Sequence, residues 1–311
     1  MFGILARLKA AGVLGLNRRN ACYILPYNER RFYPRVDDKL LTKQLMLQAG
    51  LPVPELYGVA EVNYQVQGLM QQLSGRPGFV VKPAKGSGGQ GIMVLLEAVK
   101  DMYRRVDGVL ISAGYLKLHV FNVLSGMFSL GGQPDKAIIE ERIDPNPLFK
   151  KINYRGVPDI RIIVLFGVPV MAMLRLPTSM SRGKANLHLG AVGVGIEMAS
   201  GRTLVGVHGN SVIFEHPDTA QSLAGVKIPN WDELLHMASR CHELTGLGYQ
   251  GVDIVLDRAK GPMILEINAR PGLNIQLANG TGLLKRLKVV EQHWRELKNT
   301  VQRVSFAKEH F

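Results

Sequence analysis

The sequence predicts an α+β protein, and three observations carry that reading. Strand-like and helix-like stretches are interleaved without a regular βαβ alternation. Two long apolar segments, residues 159–177 and 251–269, each read as an antiparallel hairpin broken by a short turn. A glycine-rich loop at residues 86–91 lies between two short strands rather than before a helix. At 311 residues and 46% hydrophobic side chains, the chain can bury a sizeable core as one large domain or two lobes, and its composition excludes disorder.

Taken in order, residues 1–16 are apolar but carry Arg7 and Lys9 in their middle, which suits a short amphipathic helix and not a signal peptide. That helix packs on the body of the protein or attaches peripherally to a membrane. Residues 1–36 as a whole are basic, with Arg18, Arg19, Arg30, Arg31 and Arg35 among Tyr23, Tyr27, Phe32 and Tyr33. Asp37-Asp38 opens a helix over 39–49, placing acids where the helix dipole favours them. Gly50 ends it, and Leu51-Pro52-Val53-Pro54 leads into an extended segment. A second helix is expected over 62–73. Strands are expected at 79–83, 92–96 and 137–140. The stretch 103–133, rich in Leu, Phe and Gly, reads as a lid or a docking surface. Leu234, Leu235, Ala238 and Leu244 recur at helical spacing and predict a helix over 231–245. The last 27 residues read as helical and basic.

The composition bounds function as well. The chain has 38 Lys and Arg against 25 Asp and Glu, a net charge of +13. Such an excess points to a polyanionic partner: nucleic acid, an anionic membrane surface, a nucleotide or an acidic peptide. Cys22 and Cys241 show no CxxC spacing, so neither a disulfide framework nor a structural zinc site is indicated, and a reducing, cytoplasmic compartment is expected. The uncharged run at 162–174 is 13 residues long and contains Gly167-Val168-Pro169, so it reads as two strands and a turn. A membrane span needs about 20 apolar residues.

Three constellations carry chemistry. Lys82-Pro83-Ala84-Lys85-Gly86-Ser87-Gly88-Gly89-Gln90-Gly91 offers exposed backbone N–H groups and two ammonium groups to a phosphate. It lacks the GK[ST] ending of a Walker A loop. In the second, a turn over 258–261 pairs Asp257 with Pro262 and sets Asp253 opposite Glu266, with Asn268 on the same face beside Val255 and Ile264. Two facing carboxylates repel, and with an amide oxygen they suit Mg²⁺. In the third, pairing Phe166 with Val170 sets Arg161 opposite Arg175, two guanidiniums that call for an anion such as triphosphate. A carboxylate partner, Asp159 or Glu141, is the competing explanation. Together the three describe a nucleoside triphosphate with magnesium.

These residues resemble the ATP-grasp superfamily. The matching pieces occur in the family's order: Asp38-Lys39, Val81-Lys82 before the glycine loop, Ile138-Ile139-Glu140-Glu141-Arg142-Ile143, Asp159-Ile160-Arg161, Arg175, Asn186-Leu187-His188, Asp253, and Glu266-Ile267-Asn268-Ala269-Arg270-Pro271-Gly272. The resemblance covers residues 37 to 282. Within the superfamily the chain looks like the alpha-L-glutamate-ligase-like proteins, which include the ribosomal-protein glutamate ligases and the sugar-transfer-associated branch. The resemblance implies an ATP-grasp fold, two α+β lobes holding ATP between them. The catalytic domain would span 37–285, after an N-terminal segment 1–36 that replaces a full α/β pre-domain and before a basic C-terminal helix at 286–311.

By the same resemblance, Lys39, Lys82 and Lys85 would contact ATP phosphates, and Gly86, Ser87, Gly88, Gly89 and Gly91 would close over them. Glu140, Glu141, Arg142 and Ile143 would form the hinge that reads the adenine. Arg161 and Arg175 would stabilise the phosphoryl group in transfer. Asp253, Glu266 and Asn268 would hold two Mg²⁺ ions, with Mn²⁺ as a substitute. Asn186, His188 and Arg270 would face the substrate, His188 being alternatively a core histidine.

The activity implied is ATP-dependent carboxylate–amine ligation through an acyl phosphate. It would add an amino acid such as glutamate to a peptide, protein or small-molecule acceptor. A kinase that stops at phosphate transfer is one rival. A basic RNA- or membrane-binding module with a degenerate nucleotide site is another. Nucleic acid becomes a minor alternative as partner, peripheral membrane association stays in play, an acidic peptide or protein gains, and oligomeric state is left open.

Overall fold

The computed structural model describes residues 2–73, 75–86, 88–100 and 102–311. The chain divides into two compact units. The smaller comprises residues 37–44 and 53–143; the larger comprises 1–36, 45–52 and 144–311. Each is a mixed unit built on an antiparallel sheet, the α+β class expected.

The smaller unit holds β1 (Leu56–Ala60), β2 (Phe79–Pro83), β3 (Met93–Val99), β4 (Met102–Arg105), β5 (Leu110–Ser112) and β6 (Ala137–Glu141). They form one sheet in the order β1-β6-β2-β3-β4-β5. Alternation along the strands separates two faces. Phe79, Val81, Ala137 and Ile139 pack with Leu69 of the helix Gln65–Gln72 and with Leu116, Val120 and Val123 of the helix Ala113–Leu124. Lys82, Ile138 and Glu140 lie on the opposite face, where Leu40 packs on Ala84 and Ile138. The segment 103–133 supplies most of β4, the edge strand β5 and a core helix to this unit.

The larger unit holds β7 (Asp159–Leu165), β8 (Val168–Leu176), β9 (Val192–Ile196), β10 (Thr203–His208), β11 (Ser211–Ile213), β12 (Tyr249–Asp257) and β13 (Gly261–Asn268). Their order is β11-β10-β9-β8-β7-β12-β13. β8 and β12 are buried along their whole length, as central strands must be. The helix Trp231–Thr245, at the predicted boundaries, packs on β7 and β12.

One face of this sheet changes character along its strands. Ile163, Leu165, Met171 and Tyr249 belong to an apolar core. It is completed by Leu14, Tyr23 and Ile24, by Leu283, Leu287 and Val290 of the helix Leu283–His293, and by Phe306 of the helix Thr300–His310. Further along the same face stand Asp159, Arg161, Arg175, Asp253, Glu266 and Asn268. Among the described residues no helix is long and apolar enough to cross a membrane, and Cys22 and Cys241 are unlinked.

Two expected registers are corrected. In the β7–β8 hairpin, Leu165 pairs with Val168 across the two-residue turn Phe166-Gly167, both at positive φ (50° and 80°), the turn that matches strand twist. With a further register shift between Ile163 and Val164, Arg175 pairs with Asp159, and Arg161 with Met173. In the β12–β13 hairpin the turn is one residue shorter than expected, so Asp257 pairs with Gly261 and Val255 with Met263. The Asp257 carboxylate fixes that turn by accepting from the N–H groups of Ala259 and Lys260 at 2.8 and 3.0 Å. A bulge between Asp253 and Ile254 restores the offset, so Asp253 does face Glu266 as expected, while Ile264 pairs with Ile254 and leaves that face.

Candidate functional site

In the larger unit the charged face is organised around Asp253. Arg161 lies opposite it on β7 and donates Nε to Oδ1 at 2.7 Å and Nη2 to Oδ2 at 2.6 Å, a bidentate fork. Arg175 donates Nη2 to the same Oδ2 at 2.7 Å. It also makes a fork with Asp159, through Nε to Oδ1 and through Nη2 to Oδ2 at 2.5 Å. The competing explanation weighed for Arg175 is therefore realised: Asp159 is its carboxylate partner. Arg161 and Arg175 still share one face, brought together by Asp253 and not by direct opposition.

The charge states follow from these contacts. Burial would raise the Asp253 carboxyl, but the Arg161 and Arg175 guanidiniums outweigh it and hold it below the usual carboxylate range. Burial dominates at Asp159 and pushes it up to about 6 against the pull of Arg175, with Asp253 adding to the rise. Burial opposes the charged form of Arg175, yet Asp159 and Asp253 together raise its pKa, so it stays a cation.

The three residues expected to hold metal are brought together unequally. Asn268 donates Nδ2 to Asp253 Oδ2 at 3.2 Å, so its carbonyl oxygen keeps its lone pairs. Glu266, half-buried, faces Asp253 across the ladder. Asp253 Oδ2 already receives three donors, one more than its two lone pairs accommodate well, while Oδ1 receives one. Glu266 and the Asn268 oxygen thus fit a hard divalent cation, and Asp253 fits one through Oδ1 only. Among the described residues no three His, Cys, Asp or Glu side chains gather as a metal set.

The smaller unit carries a second charge cluster. Glu140, 3% exposed, pairs with Lys82 through Oε1 and with Lys43 through Oε2, the latter at 3.0 Å. Burial alone would raise Glu140, but Lys82 and Lys43 hold it below its ordinary value. Burial lowers the Lys43 ammonium despite Glu140 beside it. Lys43 escaped the sequence reading, although it sits one helical turn beyond Lys39 in the tract Asp38-Lys39-Leu40-Leu41-Thr42-Lys43, a spacing that puts both lysines on one side of the helix.

The glycine loop follows Lys82. Gly88, Gly89 and Gly91 all have positive φ, and a Cβ on Gly91 would stand 2.6 Å from the Phe128 ring, so both conformation and packing require glycine there. Lys39 donates Nζ to the Gly86 carbonyl at 2.6 Å. Asp135, also missed, anchors the loop by accepting the Lys85 N–H at 3.0 Å and the Ser129 hydroxyl at 2.6 Å. The Lys85 side chain is exposed, and Ser87 lies outside the described residues. In the segment expected to form the hinge, the Glu141 N–H donates to the Glu55 carbonyl at 2.9 Å and its carboxylate accepts the Glu55 N–H at 2.8 Å. Arg142 Nε is buried without a hydrogen-bond partner among the described residues, and Ile143 is buried.

The substrate-side expectations scatter. Asn186 caps the short turn Leu187–Leu189, its carbonyl oxygen accepting the His188 N–H at 2.9 Å. His188 is exposed, so the core-histidine alternative is wrong. Arg270 is exposed and lays its guanidinium over the Tyr33 ring, 4.7 Å from the centroid.

The chain has relatives among known proteins. The chain is 25% identical over 270 residues to the ribosomal protein bS6–L-glutamate ligases of Salmonella paratyphi B and Salmonella newport, covering 86% of this chain and 68% of each of those. Among solved structures it is similar to the ATP-grasp ligase PsnB in complex with a phosphomimetic variant of its minimal precursor, Mg and ADP. That similarity has a TM-score of 0.47, 16% identity, and coverage of 86% of this chain and 61% of that one. It is also similar to a RimK domain protein ATP-grasp from Sphaerobacter thermophilus, with a TM-score of 0.46, 13% identity, and coverage of 84% and 69%. The chain spans about three fifths of the PsnB chain. The family model for sugar-transfer associated ATP-grasp proteins matches residues 18–292, a span that takes in both sheets and every charged cluster described above, and the chain belongs to that family.

Proposed function

We propose that the protein is an ATP-dependent carboxylate–amine ligase. The observation that carries this reading is the sheet face on which Asp253 gathers Arg161 and Arg175 beside the oxygens of Glu266 and Asn268. It is an arrangement suited to phosphoryl transfer, in a chain of the ATP-grasp family.

In this reading a substrate carboxylate oxygen attacks the γ-phosphorus of ATP, the bond to the β-phosphate oxygen breaks, and ADP leaves. An amine then attacks the acyl carbon of the acyl phosphate, loses a proton, and expels inorganic phosphate with the original carboxylate oxygen. The carboxylate has no adequate leaving group until it is phosphorylated. Arg161 keeps its second Nη free of Asp253 and meets the phosphoryl oxygens. Arg175, held by two carboxylates, acts as a fixed positive charge that needs no reorganisation during transfer. Mg²⁺, held by Glu266, Asn268 and Asp253 Oδ1, would neutralise triphosphate charge when bound. Lys39, Lys82 and Lys85 with Gly86–Gly91 take the phosphates. Glu140–Ile143 reads the base, with Glu140 orienting Lys82 through their ion pair.

The substrates in this reading are an amino acid and a carboxylate acceptor, peptide or protein, handled in the cytoplasm. The test is an ADP-release screen over amino acids and acidic peptides with Mg²⁺, followed by product mass. A mass gain equal to an added residue less water is expected. A gain of one phosphoryl group would replace the ligase by a kinase, and no ADP from any mixture would overturn both.

A further inference from the structure

The larger unit buries a cation that the proposed chemistry above does not use. Among the described residues four Lys or Arg side chains are buried: Arg19, Lys43, Lys82 and Arg175. Lys43 and Lys82 pair with Glu140, and Arg175 pairs with Asp159. Arg19, 8% exposed, has only neutral partners. It donates Nη1 to the Pro271 carbonyl at 2.7 Å, and Nε and Nη2 to the Asn20 amide oxygen at 3.1 and 2.8 Å. Three of its five N–H groups are thereby used and two remain. Arg270, another cation, lies close enough to oppose its charge. A buried guanidinium without an anion is costly, and an anion arriving from outside would offset that cost.

A second observation points to the same place. Tyr249 is fully buried, and its hydroxyl has no hydrogen-bond partner among the described residues. Arg19 and Arg161 are the charged groups that act on it. Tyr249 stands on the sheet face that carries Asp253. The elements around it are held in place. Asn28 accepts the Tyr249 N–H at 2.9 Å and donates to the Tyr249 and Ala269 carbonyls at 2.7 and 3.0 Å. Pro271, which Arg19 grips, packs so closely on Gly251 that a Cβ there would sit 2.7 Å from it, and Gly251 pairs with Asn268.

We propose that Arg19 and the Tyr249 hydroxyl, with Arg270 at the exposed side, anchor an anionic group of the second substrate, a carboxylate or a phosphate monoester. The anchor offers donors and positive charge only: two guanidinium N–H groups, a phenol O–H and a second guanidinium. It deepens the ligase reading and rests on it for the word substrate. Residues 19–33 supply Arg19, Asn28 and the Tyr33 ring under Arg270, which gives the basic N-terminal segment a defined task.

The test is calorimetric titration of the full chain with L-glutamate, succinate and inorganic phosphate, alongside separate titration with ADP. Wild-type protein is expected to bind at least one of the three at millimolar or tighter affinity. Arg19→Gln should weaken that binding about tenfold or more, Arg19→Lys should restore part of it, and Tyr249→Phe should weaken it about threefold or more. ADP binding should stay unchanged in all three variants. Preference for the carboxylates or for phosphate identifies the group. Tyr249→Phe removes an oxygen that bonds nothing in the fold, so it remains a test even if Arg19→Gln fails to fold. Absence of binding to wild type at about 10 mM for all three probes overturns the anchor. So does unchanged affinity in Arg19→Gln, or in Tyr249→Phe. Arg19-dependent anion binding without ADP release from any mixture would leave the anchor standing and remove the ligase.

Discussion

Two carboxylates divide the electrostatic tasks of the molecule, and single substitutions separate them. Glu140 holds two ammonium groups in a buried site, so Glu140→Gln leaves Lys43 and Lys82 without an anion. A loss of about 3–5 kcal/mol is expected, read by denaturant melting. The pH dependence has a definite sign. An unfolded glutamate titrates near 4.5 and the folded Glu140 titrates lower. Its contribution is therefore complete above about 4.5 and is lost as pH falls through the folded pKa. Wild type should lose stability on that acid limb, and Glu140→Gln should show a flatter one. Equal acid limbs would mean Glu140 is not the group responsible. Glu266 has the other task. It is half-buried on the face beside Asp253, and Glu266→Gln keeps its shape while removing its charge. Turnover should fall about a hundredfold or more with the melting temperature nearly unchanged. Asp253→Ala, by contrast, should cost both, because Arg161 and Arg175 lose their common acceptor.

At the scale of elements, the β7–β8 hairpin decides which side chains meet. Its turn places Phe166 and Gly167 at positive φ, and Phe166 is held there by stacking on Trp294 at 4.3 Å and by edge contact with Tyr27 at 4.6 Å. Gly167→Ala would put a Cβ into that conformation and 2.9 Å from Arg303. A destabilisation of about 1–2 kcal/mol is expected by chemical denaturation, with the Asp159–Arg175 pairing and the turnover rate retained. A collapse of activity at unchanged stability would contradict that account. The same turn marks the limit of what the sequence discloses. Both hairpins and the helix Trp231–Thr245 are legible, because alternation and helical spacing are local signals. Asp253 faces Glu266 as expected only because a bulge offsets a turn shorter than expected, and neither departure has a local signal. The register of Arg175 is not legible either, because it depends on a bulky Phe accepting a left-handed backbone beside Trp294, far away in the chain, and on a register shift between Ile163 and Val164. Lys43 and Asp135 act through Glu140 and the glycine loop, contacts that only folding creates. The short strands β4, β5 and β11 carry no periodicity long enough to read.

At the scale of the whole molecule, the excess of +13 resolves into placed charge and surface charge. Lys39, Lys43, Lys82, Arg161, Arg175 and Arg19 are built into the two units; the remainder is largely solvent-facing. The N-terminal segment is the instructive part, since the sequence sets it apart from the catalytic domain, packed on the protein or on a membrane, and the structure makes it part of the larger unit. Leu14 exchanges two hydrogen bonds with the Gln276 amide, at 2.8 and 3.1 Å. Gly248 donates its N–H to the Tyr27 carbonyl at 2.8 Å, and Asn28 satisfies the backbone of Tyr249 on both sides. Asn28→Ala would strand the Tyr249 N–H and carbonyl at the start of the central strand β12 and the Ala269 carbonyl just after β13. Each unsatisfied group costs about 1–3 kcal/mol. The expected result is a loss of about 3 kcal/mol or more in the larger unit, with hydrogen exchange accelerated in β12 and little changed in β2 and β6 of the smaller unit. Exchange accelerated equally in both sheets would mean that Asn28 acts on the fold as a whole. Unchanged exchange in β12 would make the segment an appendage.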